Sequence, residues 1–371
     1  MQIKFLDLSK IHDPMMEVSQ KILSYVVENN EFIGGKFTKE FEAKFAEYIG
    51  TKYCVGVGNG TDALEIAIDA LDFDTNKTEI IVPSNTFIAC AEAIVRSGMR
   101  PVFCDVGPDY TIDPDSCESL ITTNTAAIMC VHLYGNPCNM DKILMLAKKY
   151  GLKIIEDCSQ AHGAKFRSQT VGSIGDVSCF SFYPGKNLGA FGDAGAVLTS
   201  CKELATKIRL IANHGRLQKY DHIIEGRNSR LDNFQAGILL HKLTLLDHTN
   251  TIRRRVADTY FKNLSDQKCL MLPAIGEFSE PVWHLFVVRT PYRDELQAAL
   301  LEAGVETSIH YPTALSSLSM YSRFNGETRP EFAERTSAEL LSLPMGSHLS
   351  VSEVIYVCKA VKDSLALLGE E

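Results

Sequence analysis

Hydrophobic residues in this chain are grouped into short apolar runs that alternate with amphipathic segments. The runs are rich in β-branched residues, and the segments between them carry apolar residues at helical spacing. This alternation is typical of βα units that form a mostly parallel sheet with helices on both faces. Strands are predicted at residues 53–57, 79–82, 101–106, 126–131, 153–156, 177–182 and 196–198, and helices at 61–71, 85–97 and 140–150.

The regions before and after this alternation have a different pattern. Residues 1–50 are predicted to be mostly helical, with turns at Asp13-Pro14 and Gly34-Gly35. Beyond Pro273 strand-like and helix-like patterns mix, which is typical of an α+β unit. We therefore predict a large α/β domain over residues 1–250 and a small α+β domain over 251–371. In the second half of the chain, helices are predicted at 232–264, 294–303 and 352–367, and a strand is predicted at 285–289.

Composition excludes several classes of protein. The 371 residues are 45% hydrophobic and 22% charged, as in an ordinary globular protein, and the net charge of −9 argues against a nucleic-acid partner. The eleven cysteines form no Cys-x-x-Cys pair, so neither a zinc site nor a redox dithiol is predicted. Neither a signal peptide nor a run of about 18 apolar residues is present. We expect a reduced, cytoplasmic protein with no membrane and no metal partner.

The first chemical motif is a glycine-rich turn between a predicted strand and helix. It includes Gly58, Gly60, Thr61 and Ala63. Free N–H groups and the positive end of the helix dipole make such a turn a phosphate site. The spacing also fits the G-x-G-x-x-A fingerprint of a Rossmann oxidoreductase, but the second strand does not end in the acid that this fold requires. A phosphate site and a simple glycine turn remain the two alternatives.

The second motif is an acid at the end of an apolar strand. Asp157 follows Ile154-Ile155-Glu156, so it lies at the carboxyl edge of the predicted sheet, where α/β proteins bind ligands. It could simply cap a helix. It could also hold the pyridine nitrogen of pyridoxal phosphate in its protonated form.

The third motif is a lysine at a turn. Lys186 follows Tyr183-Pro184-Gly185, which favours a turn, and small residues surround it in the sequence. It is either a solvated turn lysine or a desolvated amine that forms a Schiff base with a carbonyl group. A phosphate loop, a strand-end Asp and a turn lysine, in this order, are the fixed points that pyridoxal phosphate requires.

These motifs resemble those of the pyridoxal-phosphate-dependent nucleotide-sugar aminotransferases, which have the aspartate-aminotransferase (type I) fold. The similarity extends from about Phe5 to the C-terminus and covers several separate motifs. It implies that Lys186 forms the Schiff base and that Asp157 pairs with the ring nitrogen. It further implies cofactor contacts from the phosphate-loop residues Gly60 and Thr61, the stacking residue Phe87, Gln160 beside the phenolic oxygen, and Ser181 and Asn228 on the phosphate.

The resemblance also bears on the substrate. The segment from Phe182 to Ala190 is similar to the branch that aminates 3-keto-6-deoxyhexoses carried on dTDP, whereas the 4-keto branch usually has His-x-x-Lys here. Amination of a 4-keto or UDP-linked sugar is the alternative. Tyr183, Lys219, His310 and Tyr311 are similar to substrate-facing positions of the 3-amino branch. For Lys219 and His310, an ordinary surface position remains open.

The activity implied is ping-pong transamination, with glutamate as the expected donor and pyridoxamine phosphate as the intermediate form of the cofactor. The resemblance also implies a homodimer with shared active sites, because the polar segment from Asn213 to Asp232 contains Asn228 and Lys219. A loop of this length is uncommon in a compact domain unless it has a function or is disordered. A Rossmann oxidoreductase and a non-catalytic cofactor-binding regulator are the alternatives from other classes.

Overall fold

A computed structural model describes residues 1–326 and 328–368. The strands are β1 (Tyr53–Val57), β2 (Glu79–Pro83), β3 (Arg100–Cys104), β4 (Thr125–Val131), β5 (Lys153–Asp157), β6 (Lys165–Phe166), β7 (Gln169–Thr170), β8 (Val177–Ser181), β9 (Gly195–Thr199), β10 (Arg216–Gln218), β11 (Asp221–His222), β12 (Ser279–Glu280), β13 (Phe286–Arg289) and β14 (Leu340–Leu343). The α-helices are α1 (Leu8–His12), α2 (Met16–Asn29), α3 (Lys36–Ile49), α4 (Gly60–Ala70), α5 (Ala89–Arg96), α6 (Pro114–Ser119), α7 (Met140–Tyr150), α8 (Lys202–Ile211), α9 (Asn233–Leu243), α10 (Leu246–Leu264), α11 (Arg293–Glu302), α12 (Glu331–Thr336) and α13 (Val351–Leu368).

The centre of the molecule is a seven-stranded sheet in the order β1-β9-β8-β5-β4-β2-β3. Strand β9 runs antiparallel to both of its neighbours, and the other pairs are parallel. This arrangement confirms the predicted mostly parallel sheet. It differs from the strand order 3-2-1-4-5-6 of a dinucleotide-binding Rossmann domain.

Helices cover both faces of this sheet. Helices α3, α7 and α9 pack on one face, which we call the α3 face, and α4, α5 and α8 pack on the other, the α4 face. Successive strand residues point to opposite faces, so Ile154 of β5 enters the core of the α3 face and Ile155 enters that of the α4 face. The same alternation sends the next two residues, Glu156 and Asp157, to opposite sides of the sheet.

A second, smaller unit is built from the antiparallel pair β13–β14 and helices α10, α11 and α13, as expected for an α+β region. Helix α10 belongs to both units, because Leu246 packs in the core of the α3 face while Val256 and Tyr260 pack in the core of the small unit. The predicted boundary at 250/251 therefore falls inside a helix, and the division into domains stays a prediction.

Three predicted elements differ from the structure. The helix predicted over residues 232–264 is interrupted after α9, where the Thr244 hydroxyl donates a hydrogen bond to the His241 carbonyl at 2.7 Å and competes with the helical pattern. The helix predicted from Asn85 begins at Ala89, and the strand predicted to reach Val106 ends at Cys104. The turn predicted at Asp13-Pro14 is present, as a 3₁₀ segment between α1 and α2.

Across residues 1–326 and 328–368, no helix combines the length and the apolar character needed to cross a lipid bilayer.

Candidate active site

A cavity of about 840 Å³ opens at the carboxyl edge of the central sheet. Segments that follow β1, β2, β5 and β8 line it, as expected for a mostly parallel sheet. Residues from the second half of the chain, Arg253 and His284 among them, complete the wall. The structure brings together in this cavity the predicted residues Gly60, Thr61, Phe87, Asp157, Gln160, Ser181, Tyr183, Lys186, His310 and Tyr311.

Lys186 lies in a turn after β8, where its backbone N–H donates to the Tyr183 carbonyl at 2.8 Å. Its side chain is half-buried in the cavity. Burial lowers the pKa of the Lys186 amine to about 8, although the nearby Asp157 carboxylate and Cys90 partly oppose the shift. A solvated turn lysine would not be placed in this way. A neutral amine is the form that attacks a carbonyl carbon.

Asp157 is the last residue of β5 and is 6% exposed. One carboxylate oxygen, Oδ1, accepts from the Ser159 N–H at 2.9 Å, and the other, Oδ2, accepts from the Cys90 thiol at 3.2 Å. Residues 158–164 form turns rather than a helix, so Asp157 does not cap a helix. Each carboxylate oxygen keeps acceptor capacity toward the cavity.

Helix α4 begins at the cavity. The Asn59 side chain caps it by accepting from the Asp62 N–H at 2.8 Å, and the N–H groups of Gly60 and Thr61 precede the first hydrogen-bonded turn. Gly60 lies so close to Ser181 that a Cβ at position 60 would be 2.6 Å from the Cβ of the serine. Backbone N–H groups, a hydroxyl and the helix dipole therefore converge on one point. These are the groups that bind a phosphate.

The next part of the wall is aromatic. Phe87 is 51% exposed, and its ring centroid is 5.7 Å from that of Tyr311. Gln160 is fixed between two tyrosines, since its carbonyl oxygen accepts from the Tyr134 N–H at 2.7 Å and its amide donates to the Tyr311 hydroxyl at 3.2 Å. An apolar ring beside a fixed amide suits a flat aromatic ligand. With the acceptor at Asp157 and the anion site at α4, these residues fit pyridoxal phosphate.

His310 and Tyr183 also line the cavity. His310 is not an ordinary surface histidine, because its Nδ1 lies 2.8 Å from the Ser342 hydroxyl oxygen. Burial, together with the charge of Lys186, lowers the pKa of His310 to about 4, so the ring is neutral at physiological pH. Tyr183 is exposed and lies three residues before the lysine.

Two predicted site residues lie away from the cavity of their own chain. Lys219 is exposed between β10 and β11, and Asn228 is exposed in the loop before α9. The residues on either side of Asn228 hold that loop against α4. Arg227 pairs with Glu65 and with Asp69 (3.2 Å), and the hydroxyl of Ser229 donates to Asp62 (2.6 Å).

The sequence analysis missed two residues near the cavity, Arg253 and Cys90. Arg253 is 3% exposed, and its Nη1 donates to the Trp283 and His284 carbonyls at 3.0 and 3.2 Å. Its spacing of three and seven residues from the buried Val256 and Tyr260 was a signal that could have identified it. The contact between Cys90 and Asp157 had no such signal, because 67 residues separate them.

A buried trio of potential metal ligands, His132, Glu156 and Cys158, lies on the other side of β5, with ligand atoms within 4.8 Å of one another. Hydrogen bonds use both ring nitrogens of the histidine. Nδ1 accepts from the Cys138 N–H at 3.0 Å, so Nε2 carries the proton and donates to Glu156 at 3.0 Å. A histidine bonded in this way has no lone pair to give to a metal, and the trio is a structural network.

Comparison with known proteins agrees with this geometry. The family model described as "DegT/DnrJ/EryC1/StrS aminotransferase family" matches residues 15–362. The chain belongs to this family. It is 45% identical to the dTDP-3-amino-3,6-dideoxy-alpha-D-galactopyranose transaminase of Aneurinibacillus thermoaerophilus, over 97% of this chain and 98% of that protein. It is 40% identical to the dTDP-3-amino-3,4,6-trideoxy-alpha-D-glucose transaminase of Streptomyces venezuelae, over 98% and 96% of the two chains.

A solved structure shows the same similarity. The crystal structure of S. venezuelae DesV in complex with a ketimine intermediate has a TM-score of 0.94 and 40% identity, with 98% of each chain covered. The predicted family, the type I fold, the transaminase activity and the pyridoxal phosphate cofactor are thereby confirmed. As a DegT/DnrJ/EryC1/StrS aminotransferase, the chain is neither a Rossmann oxidoreductase nor best explained as a non-catalytic regulator.

Proposed function

We propose that the enzyme transfers an amino group from an amino acid, glutamate in our proposal, to C3 of a dTDP-linked 3-keto-6-deoxyhexose. The observation that carries this proposal is the 45% identity, over nearly the whole of both chains, with a relative named as a dTDP-3-amino-3,6-dideoxyhexose transaminase. The Tyr183-Pro184-Gly185-Lys186 segment, which has no histidine three residues before the lysine, supports it.

Within this proposal, Lys186 would hold the cofactor covalently through its amine. Gly60, Thr61 and Ser181 would hold the phosphate, Phe87 would cover the ring, and Gln160 would lie beside the phenolic oxygen. When bound, pyridoxal phosphate supplies an electron sink for the negative charge that develops on the substrate carbon. Asp157 would keep the ring nitrogen protonated, because its carboxylate, which accepts only one N–H and one thiol in the structure, favours a positive charge beside it.

Lys186 would also move the proton. Burial lowers the pKa of its amine to about 8, so the amine would be able to accept and return a proton near neutral pH. Its Nζ would accept the proton released from the substrate carbon and later return it, while the bound cofactor would supply the electron sink. Transfer of the amino group to the keto sugar would use the same steps in reverse. Tyr183, His310 and Tyr311 would contact the nucleotide sugar.

The substrate assignment is tested with purified holoenzyme, glutamate and a panel of keto sugars. The dTDP-linked 3-keto-6-deoxyhexose should have a kcat/KM at least about a hundredfold above those of a dTDP-linked 4-keto sugar and a UDP-linked 3-keto sugar. Mass spectrometry of the product locates the new amine. A higher kcat/KM with either competitor would replace the proposed substrate with that class. Glutamate is tested against aspartate and alanine in the same assay.

We further propose that the active unit is a homodimer in which Asn228 and Lys219 serve the partner's site. The β10–β11 hairpin presents apolar side chains to the outside, including Tyr220, which is 83% exposed. Helix α2 and the segment after it add the exposed Leu23, Val27 and Phe32. A second copy of the chain would cover these side chains, and two-fold symmetry would make the exchange of residues reciprocal.

Mixed dimers test this arrangement. Lys186→Ala and Asn228→Asp should each be inactive, the second because the added carboxylate repels the phosphate. In a mixed dimer, one site combines an intact Lys186 with an intact Asn228 from the other chain, so activity should partly return.

The matched control is Lys186→Ala mixed with Ser181→Asp. This variant also places a carboxylate in the phosphate site, but from the chain that carries the lysine, so no activity should return. Recovery in both mixtures, recovery in neither despite verified subunit exchange, or a monomeric mass by light scattering would overturn the shared site.

A further inference from the structure

A buried thiol contacts the carboxylate at the end of β5. Cys90, in the first turn of α5, has no exposed surface, and its sulfur lies 3.2 Å from Oδ2 of Asp157. The Thr86 hydroxyl lies 3.5 Å from the same sulfur. Cys90 therefore contacts both Thr86, just before α5, and Asp157, which lines the cavity.

The direction of the hydrogen bond follows from the chemistry of its two partners. An ionised carboxylate accepts hydrogen bonds and donates none, so the thiol must donate. Burial raises the pKa of Cys90 well above its ordinary value, and the charge of Asp157 raises it further. The thiol therefore keeps the proton that it donates.

We propose that Cys90 is a positioning residue for the cofactor's ring nitrogen, acting through Asp157. Its S–H fixes Oδ2, as the Ser159 N–H fixes Oδ1, so the carboxylate has a single orientation toward the cavity. A thiol is a weak donor, so it orients the carboxylate while withdrawing little of its negative charge. The inference rests on the proposed contact between Asp157 and the ring nitrogen.

Packing alone is the competing explanation, because a buried cysteine often behaves as a small hydrophobic residue. Cys179 provides the matched control. It lies opposite Asp157 in the β5–β8 register and is equally buried, but its thiol donates to the Ala63 carbonyl at 3.4 Å. Cys90→Ala and Cys179→Ala remove the same number of atoms from the same core. They differ in whether Asp157 loses a donor.

The experiment compares Cys90→Ala, Cys90→Ser and Cys179→Ala as holoenzymes. The first readout is the pH midpoint of the bound cofactor's visible absorbance, measured without substrate. In Cys90→Ala the ring nitrogen should hold its proton less firmly. With less positive charge on the ring, the imine nitrogen that joins Lys186 to the cofactor becomes more basic, so the absorbance midpoint, which reports that nitrogen, should rise by about half a pH unit. The kcat should fall about tenfold, as expected for the loss of one hydrogen bond to a charged group. Cys90→Ser keeps a donor and should restore kcat to within about threefold of wild type.

Cys179→Ala should leave both the midpoint and kcat unchanged, even if it lowers Tm. The inference is overturned if the two alanine variants behave alike, or if Cys90→Ala changes Tm alone. Asp157→Asn, measured alongside, separates this failure from a failure of the proposed function. If Asp157→Asn itself leaves kcat and the absorbance near wild type, the proposed role of Asp157 is wrong.

Discussion

The two faces of strand β5 carry adjacent carboxylates with different surroundings. Glu156 has no exposed surface, and its two oxygens accept from the N–H groups of Gly172, Ile174 and Gly175 and from His132, at 2.6–3.0 Å. Asp157 accepts from a single N–H and a thiol. Both are buried acids, yet the first is saturated by the protein and the second retains acceptor capacity toward a cavity.

The same functional group, a buried carboxylate, thus has a structural role at Glu156 and is available for chemistry at Asp157. Burial opposes ionisation of Glu156, but the hydrogen bonds from His132, Gly175 and Gly172 hold its pKa below the ordinary value. The hydrogen bonds that Glu156 accepts thus hold β5 against the segment 172–175 and leave its oxygens no free acceptor capacity. The capacity left at Asp157 is available for a ligand. Unsatisfied acceptor capacity, rather than burial, is what makes Asp157 the candidate acid of the proposed active site.

The largest loss of kcat should come from a substitution of Asp157, on the cavity side of β5. We expect Asp157→Asn to lower kcat about a thousandfold, because a neutral amide cannot hold the proton on the ring nitrogen, while Tm stays within about 2 °C of wild type. Steady-state kinetics and thermal unfolding measure the two quantities, and absorbance confirms that cofactor is bound. A kcat within tenfold of wild type would show that the carboxylate is not used in the reaction.

The opposite pattern is expected from Glu156→Gln. Its amide NH2 would face backbone N–H donors, so we expect Tm to fall by about 10 °C, as for breaking a buried charged network. The kcat of the folded protein should stay within about fivefold of wild type. A large loss of kcat with an unchanged Tm would remove the distinction between the two faces.

The pH dependence sharpens this contrast. Because the pKa of Glu156 is lower in the folded state, its stabilising contribution is present above the unfolded value of about 4.5 and is lost as the pH falls through the folded value. The Tm difference between wild type and Glu156→Gln should therefore be full at pH 7 and shrink below pH 4.5. Thermal scans from pH 3 to 8 test this, and a constant difference would contradict it.

The smallest effect concerns Lys186. Since burial lowers the pKa of its amine to about 8, the rate at which apo-protein captures the cofactor covalently should rise with pH to a midpoint near 8. The Asp157 charge raises that pKa, so Asp157→Asn should shift the midpoint downward by a fraction of a unit, whereas Glu156→Gln should not. Absorbance measures capture, with Lys186→Ala as the blank. Equal shifts in both variants would contradict the difference between the faces.

Local sequence pattern predicted much of this arrangement. The apolar runs located the strands, and strand-end positions placed Asp157, Gly60 and Lys186 at one edge of one sheet. These features depend on residues close together in the chain. The alternation along β5 also separates Glu156 from Asp157, although it does not tell which of them faces a cavity.

Features that depend on distant contacts could not be predicted. Helix α5 begins later than its pattern suggests because the backbone of Ser84 pairs with Cys104 and Leu315 and the Asn85 amide donates to Tyr134. The contacts of Cys90 with Asp157 and of Arg253 with the 283–284 carbonyls join distant segments in the same way. The roles proposed for Lys219 and Asn228 would depend on a partner chain, and no pattern within one chain predicts where a partner lies.

Helix α4 joins two parts of the molecule that would serve different sites. Its first residues, Gly60 and Thr61, border the cavity of their own chain, while Asp62 and Glu65 anchor Ser229 and Arg227 on either side of Asn228. In the proposed dimer, a chain with a distorted α4 would spoil its own site and also misplace the residue that it lends. Each site of a mixed dimer would then be defective. Such an allele would act as a dominant negative in a cell that also makes the normal chain, whereas a Lys186 allele would leave one working site per mixed dimer.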